Sequence, residues 1–338
     1  MPRAIVIDGE FGFDNLRLIE RPRPRPGPGQ VLLRMRAASL NYRDLLVARG
    51  QYDPRQPLPL VPLSDGVGEV EECGPGVTRV RQGDRVCPIF AQKWLAGTPT
   101  RAELRSTLGA PLDGALADYM LVSEEGVVVP PAHLTDPEAA ALPCAALTAW
   151  SALVTLGALR AGQTVLVQGS GGVAIFALQF AKLGGARVIA TSSAAAKRER
   201  LLELGADAVI DYRADERWGK TARKLSGEGV DLVVELGGAG TLAQSLAAVK
   251  PGGTVALIGV LAGHRAPVDI LPLVMQGVRV QGIFVGHRES FEAMNTAIAE
   301  HELRPVIDRV FPFEEAREAF EYMADGAHLG KVCLTLRH

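Results

Sequence analysis

The pattern of apolar and polar positions changes character once along the chain. Up to about residue 125 the apolar runs are short, and several alternate: AIVID (4–8), VLLRMRAASL (31–40), DGVGEVEECG (65–74) and DRVCPIF (84–90). Turn-forming clusters separate them: PRPRPGPG (22–29), PGV (75–77) and QGD (82–84). Short strand-like runs punctuated by Gly and Pro predict a β-rich, barrel-like domain. Beyond that point the runs alternate with helical patterns. TVLVQGSGGV (164–173) reads as a strand entering a Gly-rich turn. AIFALQFAKLGG (174–185) reads as a helix, ARVIATSS (186–193) as a strand, and AAAKRERLLELG (194–205) as a helix with a Gly C-cap. ADAVIDY (206–212), DLVVELGG (231–238), TVALIG (254–259) and VRVQGIFVG (278–286) are further strands, and TLAQSLAAV (241–249) is a further helix. Such alternation predicts right-handed βαβ units and a parallel sheet. The strands are Val/Ile-rich rather than alternating, as expected when both faces are covered. The chain closes with helical patterns at 289–301 and 313–326 and a strand, GKVCLTL (330–336).

These patterns predict an α/β protein with two domains. A partly open, barrel-like domain takes residues 1–125 and 286–338, and a doubly wound domain takes 126–285; 338 residues are enough for two. Hydrophobic residues make up 47% and the formal charge is −2, which excludes wholesale disorder and argues against a nucleic-acid partner. The N-terminal MPRAIVIDGE lacks the apolar core of a secretory leader. Residues 139–159 carry no charge, but Ala, Thr, Ser, Gly and Pro143 dominate them, which predicts a buried helix rather than a membrane span. The four cysteines form no CxxC pair, which suits a reducing, cytoplasmic compartment.

The strongest local motif is VLVQGSGGVA (165–174), where Gly169, Gly171 and Ala174 satisfy G-x-G-x-x-G/A. The first Gly permits the tight turn, the second lets backbone approach a pyrophosphate, and the small third residue lets helix and strand pack closely. Ser170, Gly172 and Val173 complete a phosphate cradle at a helix N-terminus. An NAD site wants a carboxylate at the end of the second strand to hold the ribose 2′-OH. Here that strand ends in Ser192 and Ser193, and Lys197 and Arg198 follow. Hydroxyls and cations suit a 2′-phosphate, so NADPH is expected over NADH.

With these features the whole chain resembles the medium-chain dehydrogenase/reductase superfamily. The resemblance rests on SLNYRD (39–44), PLVPLSDGVGEV (59–70), GDRV (83–86), AALPCAALTAWSAL (140–153), LGAD (204–207), KPGGTVALIG (250–259) and GKV (330–332). It implies a GroES-like catalytic domain, a Rossmann domain and a site in the cleft between them. Zinc-dependent members carry Cys, His and Cys as catalytic ligands. The matching positions here are Asn41, Ser64 (followed by Asp65) and Cys144, and no cysteine occurs in residues 88–112, where relatives hold a structural zinc. No metal is therefore expected, and the resemblance narrows to the zinc-free quinone oxidoreductase branch.

By that match Asn41, Tyr42, Asp44 and Tyr52 line the substrate side. Thr148, Val260, Phe284, Val285 and Gly286 lie near the nicotinamide, and Gly259 is a further cofactor-binding candidate. Tyr212 joins Ser192, Ser193 and Lys197 around the 2′-phosphate, and Lys331 is a further candidate for the cofactor cleft. Without a metal, reduction of a quinone or an α,β-unsaturated carbonyl is the expected chemistry, because its negative charge is delocalised. Asn41 with Tyr42 or Tyr52 would supply hydrogen bonds, and Asp44 would either orient a tyrosine or cap a helix. The alternatives are a metal-free carbonyl or alcohol dehydrogenase, an enoyl-thioester reductase, or a non-catalytic NADPH-binding protein. The segment 91–112 is expected to shape or cap the site. The apolar edge strand 278–286 predicts a homodimer formed by edge pairing.

Overall fold

The computed structural model of the protein describes residues 1–336. The chain divides into two compact units, Met1–Leu147 with the segment from Gly286 onward, and Thr148–Val285.

In the first unit β1 (Arg3–Ile7) and β2 (Leu16–Glu20) form a hairpin-like pair. A seven-stranded sheet is built from β3 (Gln30–Ser39), β4 (Asp65–Cys73), β5 (Arg85–Pro88), β6 (Tyr119–Ser123), β7 (Val127–Val128), β14 (Ile307–Pro312) and β15 (Lys331–Thr335). Its order is β14-β15-β3-β4-β5-β7, with β6 also paired to β3, so the sheet curls without closing. Two registers position the candidate substrate residues. Ser39, at the end of β3, faces Asp65 of β4 on one side and Cys333 of β15 on the other. Leu33, Met35, Val70, Val86, Phe313 and Phe320 are among the side chains that fill the core of this unit.

The second unit holds β8 (Thr164–Gln168), β9 (Arg187–Thr191), β10 (Ala208–Ile210), β11 (Val230–Glu235), β12 (Val249–Leu257) and β13 (Arg279–Gly282). All are parallel, in the order β10-β9-β8-β11-β12-β13. The order reverses beside β8, which makes the carboxyl ends of β8 and β11 the place where doubly wound sheets bind ligands. The β8–β11 pair is apolar because helices cover both faces: Val165, Leu166, Val167 and Val233 are all 0% exposed.

The unit boundary falls at 147/148, not at the expected 125/126. The strand pattern does stop near 125, but packing decides ownership. β7 pairs with β5, and the thiols of Cys87 and Cys333 donate to the carbonyls of Ala139 and Pro137, binding the following helix to the first unit. The uncharged stretch is not one helix. It runs as Asp136–Ala140, a wide turn at Leu142–Ala146, one α-turn at Leu147–Trp150 and a second wide turn at Ser151–Thr155. Pro143 lacks the N–H a regular turn needs. The strands β2, β6, β7 and β14 and the helices Trp218–Ser226 and Leu271–Gln276 were not evident in the hydrophobic pattern. Among the described residues no helix is long and apolar enough to cross a membrane.

Candidate functional site

The first unit gathers the candidate substrate residues where three strands meet. Because Cys333 pairs with Ser39, Lys331 falls opposite Asn41, and because Ser39 pairs with Asp65, Leu63 falls on Asn41's other side. The Lys331 ammonium, only 3% exposed, donates to Asn41 Oδ1 at 2.6 Å and to the Leu40 carbonyl. Asn41 Nδ2 donates to Ser64 Oγ at 3.3 Å, and the Ser64 hydroxyl donates to Asp65 Oδ1 at 2.9 Å. Asp65 Oδ2 accepts the Cys144 backbone N–H at 3.1 Å. Burial raises the Asp65 carboxyl above its usual range, and Lys331 opposes that rise. Lys331 thus contacts Leu40 and Asn41 directly, and Asn41 and Ser64 link it onward to Asp65.

Backbone geometry is strained at this point. Leu63 has φ 70°, a left-handed value that branched or bulky residues rarely adopt. The chain around 109–115 holds it there. Ala115 N–H donates to the Leu63 carbonyl and Gly114 N–H to the Val61 carbonyl, both at 2.8 Å. Arg43 anchors the same segment by donating to the carbonyls of Leu108 at 2.9 Å and Ala110 at 3.1 Å. Its guanidinium also lies 4.8 Å from the Tyr52 ring centre and 5.0 Å from that of Phe90. Within the segment 91–112, Arg43 holds Leu108 and Ala110, and a Cβ at Gly109 would lie 2.8 Å from the Leu63 carbonyl carbon, so this part of it packs against Leu63.

Tyr42 and Tyr52 are exposed, at 40% and 42%, and Tyr52 is the ring on which Arg43 stacks. Asp44 takes the capping position: it accepts the Asn41 N–H at 2.8 Å at the start of the helix Tyr42–Ala48. It contacts neither tyrosine hydroxyl through any hydrogen bond seen among the described residues, so it does not orient a tyrosine here. Burial pushes its carboxyl up to about 6, with Arg43 opposing and Asp65 reinforcing. An acid whose folded value lies above its unfolded value of 3.8 destabilises the fold when it ionises. Stability of the wild type relative to Asp44→Asn is therefore expected to fall by about 3 kcal/mol as pH rises from about 4 to above 6. Urea midpoints of both proteins at pH 4, 5.5 and 7 check this, and parallel pH profiles would refute it. His287 caps the helix Arg288–Glu300, its Nδ1 accepting the Ser290 N–H at 3.1 Å, and packs edge-on against Trp94.

In the second unit the Gly-rich turn follows β8. Gly169 has φ 78°, a conformation that favours glycine, and its N–H donates to the Thr191 carbonyl at 2.9 Å. Gly171 is the N-cap of the helix Gly172–Leu183, whose first turn includes Val173, while Ser170 is nearly buried. A Cβ at Gly169 or Gly171 would meet nothing within 4 Å, so the cradle above the helix N-terminus is open. At the end of β9, Ser192 is 4% exposed and its N–H donates to the Ile210 carbonyl at 3.0 Å. Arg198 bridges the Ser193 carbonyl at 2.7 Å and Asp211 at 2.8 Å, fixing the loop that presents Ser193, half-buried Lys197 and exposed Tyr212. Gly259 follows β12 so closely that a Cβ would lie 2.2 Å from the Leu236 carbonyl oxygen. Val260 and Phe284 are exposed, Thr148 is buried, and Val285, next to Gly286, is held at φ 45°. These donors and this open cradle fit a nicotinamide dinucleotide.

One element here escaped sequence reasoning. Glu235, at the end of β11, is 0% exposed. It accepts from Gln168 Nε2 at 2.7 Å, from the N–H groups of Gly237 at 2.8 Å and Gly238 at 2.9 Å, and from the hydroxyls of Thr241 and Ser245. Gln168 Oε1 in turn accepts from Leu236 and Gly237. The signal was present: each of these apolar strands ends in a polar residue, VLVQ and VVE.

The residues at the zinc-ligand positions do not fit the metal. They offer an amide, a hydroxyl and the Cys144 thiol, one soft donor where a stable zinc site needs three or four nitrogen or sulfur ligands. A buried ammonium lies beside them. Among the described residues no three His, Cys, Asp or Glu side chains gather to hold a metal ion.

Comparison with known proteins agrees with the architecture. The family model of alcohol dehydrogenase GroES-like domains matches residues 27–132, and that of zinc-binding dehydrogenases matches residues 172–300. A zinc-type alcohol dehydrogenase-like protein of Schizosaccharomyces pombe is 40% identical, covering 99% of both chains. An acryloyl-coenzyme A reductase of Metallosphaera sedula is 30% identical, covering 98% of this chain and 99% of its own. A mycobacterial structure complexed with NADPH superposes with a TM-score of 0.83 at 30% identity, covering 99% of this chain and 100% of that one. The chain belongs to the medium-chain dehydrogenase/reductase superfamily. It is an oxidoreductase of that type, from a family that binds a nicotinamide cofactor.

Proposed function

We propose that this chain is an NADPH-dependent, zinc-independent reductase of quinones or α,β-unsaturated carbonyls, in the zinc-free quinone oxidoreductase branch. The observation that carries this reading is the donor set at Asn41, Ser64 and Cys144, which offers a metal one thiol beside an amide and a hydroxyl. Acceptors whose negative charge delocalises into a phenolate or enolate need less stabilisation than a localised alkoxide. The likeness to an acryloyl-coenzyme A reductase points the same way, since an acryloyl group is an α,β-unsaturated carbonyl.

Gly169, Gly171 and the N–H groups at the start of the helix Gly172–Leu183 would hold the pyrophosphate. Ser192, Ser193 and Lys197 would hold the 2′-phosphate. Bound there, the nicotinamide supplies a hydride. Lys197→Ala is expected to weaken NADPH about tenfold and to leave NADH within about twofold, on the scale of one charge-assisted hydrogen bond. Fluorescence titration of both cofactors reads this directly, and an equal loss for the two would remove Lys197 from the 2′-phosphate site.

Turnover with NADPH and NADH in the presence of EDTA, across quinones, enones, enoyl thioesters and simple aldehydes, tests the function. Chelator-resistant reduction of quinones or enones is expected. Chelator-sensitive reduction of aldehydes would refute it. A homodimer is proposed on β13, which among the described residues pairs with β12 alone and leaves its other edge open beside exposed Val280. A monomeric mass by light scattering at micromolar concentration would contradict that. Four unpaired cysteines suit a reducing, cytoplasmic compartment.

A further inference from the structure

We propose that the Lys331 ammonium stands in the metal's place and is the electrophilic group of this site, binding the carbonyl oxygen of the conjugated acceptor. The inference rests on the reductase reading and names the group that makes a metal unnecessary. Three observations carry it.

The first is position. The β3–β15 register sets Lys331 opposite Asn41, and its ammonium bonds the side chain that stands at the first ligand position of zinc-dependent relatives. The second is valence. An ammonium has three N–H donors, and the chain satisfies two of them, through Leu40 O and Asn41 Oδ1. The third N–H meets no acceptor among the described residues. The third observation is charge. The ammonium is 3% exposed, yet no carboxylate among the described residues contacts it as an ion pair. Asp65 faces it across Asn41 and Ser64, near enough to interact but not to neutralise it by contact. A cation held this way is costly to bury for packing alone, because an apolar side chain would fill the same space with no desolvation penalty. A fixed, desolvated donor with one free N–H matches what a developing oxyanion requires.

The chemistry balances without a further reagent. The acceptor's carbonyl oxygen takes a hydrogen bond from the third N–H of Lys331. NADPH, held by the turn at Gly169–Gly171 and by Ser192, Ser193 and Lys197, would supply the hydride for a new C–H bond on the conjugated carbon. The displaced π pair moves through the conjugated system onto the oxygen, where the ammonium stabilises it. The acceptor gains two electrons, the nicotinamide is oxidised, and the oxygen finally takes a proton from water.

The test uses the full chain, EDTA, NADPH and two acceptors, cyclohex-2-enone and 1,4-benzoquinone. Lys331→Met is expected to lower kcat by about 10²–10³, the scale of one oxyanion donor. NADPH affinity should stay within about twofold, and activity of Lys331→Ala should return with added ethylammonium. Lys331→Gln, which keeps an N–H donor without the charge, should fall between wild type and Lys331→Met, and it serves if the methionine variant does not fold. Retention of kcat within threefold in Lys331→Met, or loss in Lys331→Ala that no amine restores, would overturn the proposal. A second arm needs no turnover. The pair Asn41→Cys and Ser64→His, with Cys144 already present, should bind no stoichiometric Co²⁺ while Lys331 remains, and about one equivalent once Lys331→Met is added. One equivalent bound with the lysine in place, or none after its removal, would place the ammonium elsewhere. If the wild type reduces no acceptor of the wider panel, the reductase reading fails, while the cobalt arm still decides where the ammonium stands.

Discussion

Gly114→Ala is expected to destabilise the first unit by about 3 kcal/mol, at the upper end of overpacking costs, and to abolish activity with it. An added Cβ would lie 2.1 Å from the Leu63 carbonyl oxygen and 2.4 Å from that of Pro62. Both are backbone atoms, so no side-chain rotation relieves the clash. The backbone must separate, and that separation breaks the bonds from Gly114 to Val61 and from Ala115 to Leu63 that keep Leu63 at φ 70°. Ser64 and Asp65 follow directly in the chain, so the loss reaches the Asn41–Lys331 cluster. Gly184→Ala is the control, because its Cβ would come no closer than 3.4 Å to any atom, and it should stay within about 0.5 kcal/mol of wild type. Urea unfolding read alongside turnover decides the matter. A Gly114→Ala protein with wild-type midpoint and wild-type kcat would show that the chain around 109–115 does not hold the site.

Glu235→Ala should cost the second unit about 3–5 kcal/mol, the range for breaking a buried charged network by removing one partner. Five donors converge on that carboxylate, including two backbone N–H groups of the turn after β11. Truncation strands them in a place with no access to water. Glu235→Gln should lose less, since one oxygen remains to accept while the amide nitrogen meets a donor. Midpoints from chemical unfolding and hydrogen exchange at Gly237 and Gly238 report both effects. An alanine variant as stable as wild type would mean the network contributes nothing net.

What could be read from the sequence was what is local. The Gly169–Gly171 turn, its strand and its helix occupy one contiguous stretch, and each feature constrains the next. The parallel sheet was legible because apolar strands alternate with amphipathic helices at regular spacing. The substrate side was harder. Asn41, Asp65 and Lys331 meet through β-pairing between residues as far apart as 39 and 333, and no window of sequence encodes that register. The bond from Lys331 to Asn41 was therefore not legible in the sequence. Asp44 read as a tyrosine's partner or a cap, and the helix that begins beside it favours the cap. The segment 91–112 read as shaping or capping the site because its length is visible, whereas the close approach of Gly109 to Leu63 is visible only in three dimensions.

The placement of β15 has a consequence for how the protein is made. This strand lies between β14 and β3, yet it follows every other described strand in the chain. The second unit is continuous in sequence and can complete its sheet once residue 285 has left the ribosome. The first unit must wait, with the edge of β3 open, until residues 331–335 emerge. The unit that begins first in the chain is thus the one whose sheet is completed by the later residues, against the N-terminal-first order common for domains. Until residues 331–335 pair with it, the β3 edge is the surface a chaperone would have to shield.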